Sequence, residues 1–276
     1  MKMEISIVMI VYNSEDYINE SIQSVLNQTF DSFEFIIVDD GSTDNTVQLI
    51  KQYNDPRITL HIKPHNYIAS LNFGINISKG KYIVRMDADD QMLPHRLFVQ
   101  YQYMEANPDI TICGSWIKTF GCFEREFHYA ENHKNLTGIM LMGNPLCHSS
   151  VIIRKDSINF FFKKKKKQVY NALYLYAEDY KLWCEIVKCG GKISNIQETL
   201  LLYRCSNNQL SSRRKTDMIK MSLRVRTEYL NDTIHYIANR YPQYIKTLNQ
   251  LILNYKERNI NFNELTLSVK EIYDKI

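Results

Sequence analysis

The chain has 276 residues, 45% hydrophobic and 23% charged, with a formal net charge of +4. These proportions exclude global disorder, and the length accommodates one large α/β unit with a modest appendage. So small a positive balance, unaccompanied by any nucleic-acid motif, argues against a nucleic-acid binder while tolerating anionic partners such as nucleotide-sugars or a phospholipid surface.

The six cysteines, Cys113, Cys122, Cys147, Cys184, Cys189 and Cys205, form no Cys-x-x-Cys pair. Neither a zinc knuckle nor a thioredoxin-like motif is indicated, and scattered thiols suit a reducing cytosol. The apolar run that ends at Tyr12-Asn13 is too short for a signal-peptide core, and no stretch is long enough to span a bilayer. The expectation is a cytoplasmic protein, soluble or peripheral at the inner face of the cell membrane.

In chain order, Ile5–Val11 reads as a strand buried on both faces. Asn13-Ser14-Glu15-Asp16 is a helix-start cluster, and Tyr17, Ile18, Ile22, Val25 and Leu26 follow at helical spacing. Phe35–Val38 is a second strand closed by Asp39-Asp40-Gly41, after which Ser42-Thr43-Asp44 opens a helix carrying Val47, Ile50 and Tyr53. Ile58–Ile62 is a third strand, Ile68, Leu71 and Ile75 mark a third helix, and Tyr82–Met86 is a fourth strand ending at Asp87-Ala88-Asp89-Asp90. Beyond Asp109 the pattern weakens. Ile110–Trp116 and Ser149–Ile153 are strand candidates, Asn159–Lys167 reads as a loop or flap, and Asp179–Val187 is helical. Residues 213–276 read as a helical extension of a domain spanning residues 1–212.

Alternating strands and helices imply a mostly parallel sheet, whose ligands bind beyond the carboxyl ends of the strands. Both acidic clusters fall there. Carboxylates two residues apart at a strand end can hold a hard divalent cation bridging to phosphates, although turns also favour aspartate for local hydrogen bonds. There is no Gly-x-Gly-x-x-Gly after the first strand and no P-loop, which argues against a dinucleotide oxidoreductase and a P-loop nucleotidase.

Six blocks in order carry a more specific signal. They are Val8–Asn13, the segment Ser24 to Phe30, Val38-Asp39-Asp40-Gly41-Ser42-Thr43-Asp44, Met86-Asp87-Ala88-Asp89-Asp90, Gly143-Asn144-Pro145 with His148, and Ala177-Glu178-Asp179-Tyr180-Lys181-Leu182-Trp183. Tyr203-Arg204 and Asn208-Gln209-Leu210-Ser211-Ser212 extend them. The set resembles family 2 glycosyltransferases of the GT-A fold, a Rossmann-like α/β architecture, from residue 5 to about 212. The nearest likeness is to bacterial enzymes of lipooligosaccharide or capsule synthesis that add N-acetylhexosamine or hexose.

The resemblance implies an inverting transfer of GlcNAc, GalNAc, Gal or Glc from a UDP-sugar to a hydroxyl of a glycan or glycolipid. It places Tyr12 against the uracil, Asp40 at the uracil edge with Asp39 supporting the loop, and Asp87 on the ribose. Ala88 and Arg204 join the donor site, and Asp89 coordinates Mn²⁺ or Mg²⁺. Asp179 becomes the general base, with Glu178 and Trp183 near the acceptor or donor sugar. Read without the family, Glu178-Asp179 is also a pair of acids favouring the positive end of a helix dipole. His148 either faces a sugar or is a satisfied buried histidine.

Two departures stand out. Ser206 occupies a position where relatives often carry a histidine near the metal, so Arg204 or Arg213-Arg214-Lys215 is left to neutralise the diphosphate. Asn66 replaces a usual glycine, and asparagine tolerates the left-handed backbone region. The Phe160–Phe162 and Lys163–Lys167 block is either a solvated loop, the simpler reading, or a contact with an anionic membrane. A non-catalytic nucleotide-sugar-binding scaffold is the alternative to an enzyme. The acidic Asn13-Ser14-Glu15-Asp16 argues against a nucleotidyltransferase.

Overall fold

Strands β1 (Ile5–Val11), β2 (Phe33–Asp39), β3 (Ile58–Ile62) and β4 (Tyr82–Asp87) are parallel and adjacent in the order β3-β2-β1-β4. Helices α1 (Ile18–Leu26), α2 (Thr46–Ile50) and α3 (Tyr67–Ile77) connect them. The computed structural model describes residues 3–162, 168–206 and 213–276. Register sets Asp39 beside Val11 and Asp87 beside Ile10, so both acidic clusters leave the sheet along one edge.

The sheet continues through β5 (Gln91–Met92), β6 (Ile110–Gly121), β7 (Arg125–Phe127), β8 (Ile152–Arg154) and β9 (Lys192–Cys205). The spatial order is β3-β2-β1-β4-β8-β6-β9-β5, with β7 paired to β6. Strand β8 is antiparallel to both β4 and β6, whereas β9 runs parallel to β6. Helices α4 (Arg96–Ala106), α5 (His133–Met140), α6 (Lys155–Phe161) and α7 (Glu178–Lys188) complete this part.

Alternation along the strands feeds two apolar layers. Ile5, Ile7, Met9 and Val11 pack with Ile18 and Ile22 of α1 on one face. Val8, Ile10, Ile36 and Val38 pack with Ile68 and Leu71 of α3 on the other. This second layer runs on through Tyr180 and Ile186 of α7 into α8 (Lys215–Arg240), α9 (Ile245–Lys256) and α10 (Phe262–Lys275). Val225, Ile237, Leu265 and Val269 are buried there, and Tyr229 donates to the Thr137 carbonyl at 3.3 Å. The C-terminal helices therefore pack against the sheet-bearing part of the chain.

The structure corrects several local expectations. Residues 159–161 are helical, belonging to α6 rather than to a flap, because Ile158 and Phe162 insert into the core. The Lys163–Lys167 run, the segment Asn208-Gln209-Leu210-Ser211-Ser212 and the boundary near Ser212 lie outside the described residues. Strand β6 extends to Gly121, past Trp116, because β9 pairs along it with register shifts. Asn66 needs no left-handed backbone. Its φ is −163°, and its side chain accepts from Ala69 N at 3.1 Å as the N-cap of α3. Among the described residues the left-handed asparagine is Asn13 (φ 47°), which receives Thr43 N on Oδ1 at 2.8 Å.

Candidate active site

A cavity of about 490 Å³ opens at the carboxyl end of β4. Asp87, Asp89, His148, Glu178 and Asp179, drawn from three separate stretches of chain, all line it. No local pattern could have shown that they converge.

The cavity also contains an unanticipated cation. Arg85 stands two residues before Asp87 on β4, hence on the same face, and its side chain is 4% exposed. It forms an ion pair with Asp87 and donates from Nη2 to the Tyr67 hydroxyl at 2.8 Å. Burial opposes its charge, but Asp87 and then Tyr67 keep the guanidinium protonated. Its only sequence signal is a lone arginine inside an apolar strand. Asp87 is further fixed by its backbone N–H, which donates to Ser149 Oγ at 3.0 Å.

Asp89 is half-buried at the cavity wall, whereas Asp90 is fully buried and accepts Arg204 N at 2.9 Å. Burial, then the charges of Asp87 and Asp89, push the Asp90 carboxyl well above the usual range. Ala88 packs into the core, and its carbonyl accepts from Ser21 Oγ at 2.7 Å. Among the described residues no three His, Cys, Asp or Glu side chains come together as a metal cage. The Asp89 carboxylate still fits a hard cation that takes most of its oxygens from phosphate and water, as Mg²⁺ commonly does.

Glu178 and Asp179 form the first turn of α7. Asp179 Oδ2 accepts from Asn144 Nδ2 at 2.8 Å, and Oδ1 accepts from Tyr180 N at 2.7 Å. Burial raises the Asp179 pKa, while those two hydrogen bonds and the Arg85 charge moderate the rise. Glu178, 7% exposed, is pushed up to about 7 by burial and then by Asp179 beside it. The turn entering this pair is left-handed at Tyr176 (φ 76°), a conformation unusual for an aromatic residue.

The sequence left His148 open between a sugar contact and a satisfied buried histidine. His148 lines the cavity, yet its Nε2 is already 2.7 Å from the Tyr170 hydroxyl. Burial, then Arg85, depress its pKa well below the ordinary value, so the ring is neutral. Trp183, expected near a sugar, is not among the residues lining the cavity. It is 0% exposed and presents its indole edgewise to His148 at 6.0 Å between centroids. Its place in the α7 periodicity on the core side explains why.

The residues expected at the nucleotide sit at the ends of β1 and β2, outside the lining of that cavity. Tyr12, 46% exposed, stacks on His65 with centroids 4.3 Å apart. Asp40 is almost wholly buried. Its Oδ1 accepts from Asn66 N at 2.8 Å and Ser70 Oγ at 2.6 Å, and its Oδ2 lies 2.8 Å from His65 Nδ1. Asp39 Oδ2 accepts from Gly41 N and Ser42 N at 3.2 Å each. Gly41 is left-handed (φ 83°), and a Cβ there would stand 3.1 Å from His65 N. His65 is thus a second residue that sequence reasoning missed.

Arg204 is not brought into the cavity. Its guanidinium lies 4.4 Å from the ring centroids of both Tyr17 and Phe120. Nε donates to the Asp89 carbonyl at 2.8 Å and Nη2 to Glu20 at 2.5 Å. It holds the loop that carries Asp89.

Comparison with known proteins identifies the family and the fold. The profile of Glycosyl transferase family 2 covers residues 6–172. An uncharacterized glycosyltransferase of Haemophilus influenzae is 33% identical over 264 residues, spanning 90% of this chain and 79% of that one. The O-antigen biosynthesis glycosyltransferase WbnJ of Escherichia coli is 34% identical over 215 residues, spanning 74% and 80%. The crystal structure of S. aureus TarS 1-349 in complex with UDP-GlcNAc aligns with a TM-score of 0.67 at 19% identity, over 83% of this chain and 66% of that one. At that identity the structural likeness speaks to the fold, which is GT-A. With more than half of the chain inside the family profile and both acidic clusters at the strand ends of that fold, this protein belongs to glycosyl transferase family 2.

Proposed function

We propose that this glycosyltransferase moves a hexose or N-acetylhexosamine from a UDP-sugar to a glycan hydroxyl with inversion, in surface polysaccharide or lipooligosaccharide synthesis at the cytoplasmic side of the membrane. The observation that carries this reading is the placement of Asp179 and Asp89 on the walls of one cavity. Asp179, oriented by Asn144, accepts the proton of the acceptor hydroxyl as that oxygen attacks the anomeric carbon. A single displacement makes an α-linked donor give a β-linked product. Asp89 would hold Mn²⁺ or Mg²⁺ on the donor diphosphate, where the cation supplies charge stabilisation for the departing UDP. The UDP-GlcNAc bound to TarS and the O-antigen role in the name of WbnJ support the donor and product classes.

The test is Asp179→Asn, assayed for transfer and for thermal stabilisation by UDP with and without Mn²⁺. Loss of a general base lowers turnover by ~10²–10⁴-fold, while UDP-dependent stabilisation persists. Retained turnover would remove Asp179 from the role of base. Stabilisation by GDP or CMP in place of UDP would overturn the donor assignment, and a metal-independent UDP effect would overturn the Asp89 cation.

A further inference from the structure

Helix α8 has an inward stripe already used in packing, with Val225, Tyr229, Leu230 and Ile237 buried. Its first turns carry a second apolar strip that stands partly exposed among the described residues. Ile219 is 60% exposed and Leu223, one turn on, is 45% exposed. Both line a groove of about 490 Å³ with Met142, Met218, Lys215 and Arg226. Met142 is itself 39% exposed, and Leu173, whose carbonyl accepts from Arg224, is 68% exposed.

Charge is concentrated on the same segment. Residues 213–226 contain Arg213, Arg214, Lys215, Lys220, Arg224 and Arg226 against the single acid Asp217, five positive charges net in a chain whose total is +4. Arg224 and Arg226 have internal partners in Glu228 and the Leu141 carbonyl, but Lys215 and Lys220 are exposed beside the apolar strip. Exposed aliphatic side chains one turn apart, flanked by lysines, are what an interfacial helix presents to lipid. A water-soluble glycan would be met instead by polar and aromatic groups.

The groove also adjoins the catalytic cavity. Asn144 and Met218 line both, and Asn144 is the residue bonded to Asp179. We infer that the first turns of α8, with Met142, dock on an anionic phospholipid surface. Ile219 and Leu223 enter the acyl boundary, and Lys215 and Lys220 meet the lipid phosphates. The catalytic cavity then opens towards the bilayer, so a lipid-borne acceptor reaches Asp179 along this groove; that last step rests on the transferase reading, and the docking does not.

The full chain would be floated with vesicles of phosphatidylglycerol and phosphatidylcholine in equal parts, and with vesicles of phosphatidylcholine alone. Binding to the anionic vesicles alone is expected, and Lys215→Glu with Lys220→Glu lowers the partition at least about tenfold. Ile219→Ser with Leu223→Ser lowers it comparably, whereas excess inorganic phosphate leaves it unchanged. Every variant keeps the wild-type melting temperature, because these side chains are exposed. Equal binding to both vesicle types, no binding, displacement by phosphate alone, or indifference to both double variants would each overturn the docking surface. Flotation reads no turnover, so failure of the transferase reading leaves this result standing, and the reverse.

Discussion

The side-chain amide of Asn144 donates to Asp179 Oδ2 at 2.8 Å, tying the loop after α5 to the first turn of α7. The bond fixes the carboxylate's orientation and favours its ionised form, against burial that favours the protonated one. With Tyr180 N on Oδ1, it gives each oxygen of the carboxylate proposed as the base a neutral donor.

Asn144→Ala removes that donor, so the Asp179 pKa rises further. The acidic limb of the kcat/KM profile should move to higher pH. The rate deficit should be largest below neutrality and shrink as pH rises. A uniform loss at every pH would mean that Asn144 acts only through position.

Glu178 carries a different pH signature. Folding raises its pKa from 4.5 to about 7. A group raised on folding favours the folded state fully below its unfolded value and loses that advantage as pH climbs through the folded one. Wild-type stability should therefore decline relative to Glu178→Gln between about pH 4.5 and pH 7, by up to about 3 kcal/mol. Chemical denaturation of both proteins across that range reads the difference directly. A gap that does not vary with pH would show that folding leaves the Glu178 pKa unshifted.

Arg85→Met leaves Asp87 without its cation and Tyr67 without its donor. Breaking a buried pair from one side costs about 3 kcal/mol here, at the low end because the Asp87 side chain is 34% exposed. Adding Asp87→Asn should recover part of that loss in urea titrations. Strict additivity of the two changes would deny the coupling.

Tyr12→Ala addresses the nucleotide end. The ring is exposed and its partner is His65, so the fold should keep its stability. Loss of an aromatic stacking face weakens base binding by ~1–3 kcal/mol, so the Kd for UDP should rise about fivefold or more. An unchanged Kd would place the uracil elsewhere.

Much of this architecture was legible in the chain itself. Apolar runs of strand length, helical spacing after each, and aspartates closing β2 and β4 depend on neighbours within a few residues, and local pattern records such neighbours. Strand β9 escaped because its Lys192-to-Cys205 stretch mixes polar and apolar residues and takes its order from pairing with β6. The same limit governs the site. Aspartates at strand ends and acids at the start of α7 were visible, but their convergence on one cavity was not. Nor was the buried Arg85 that pairs with Asp87, the His65 that occupies Asp40, or the withdrawal of Arg204 and Trp183 from the cavity. Each of these depends on contacts between segments distant in sequence, or on which face of an element meets the core. Periodicity fixes which residues share a face; only the packed chain decides what that face meets.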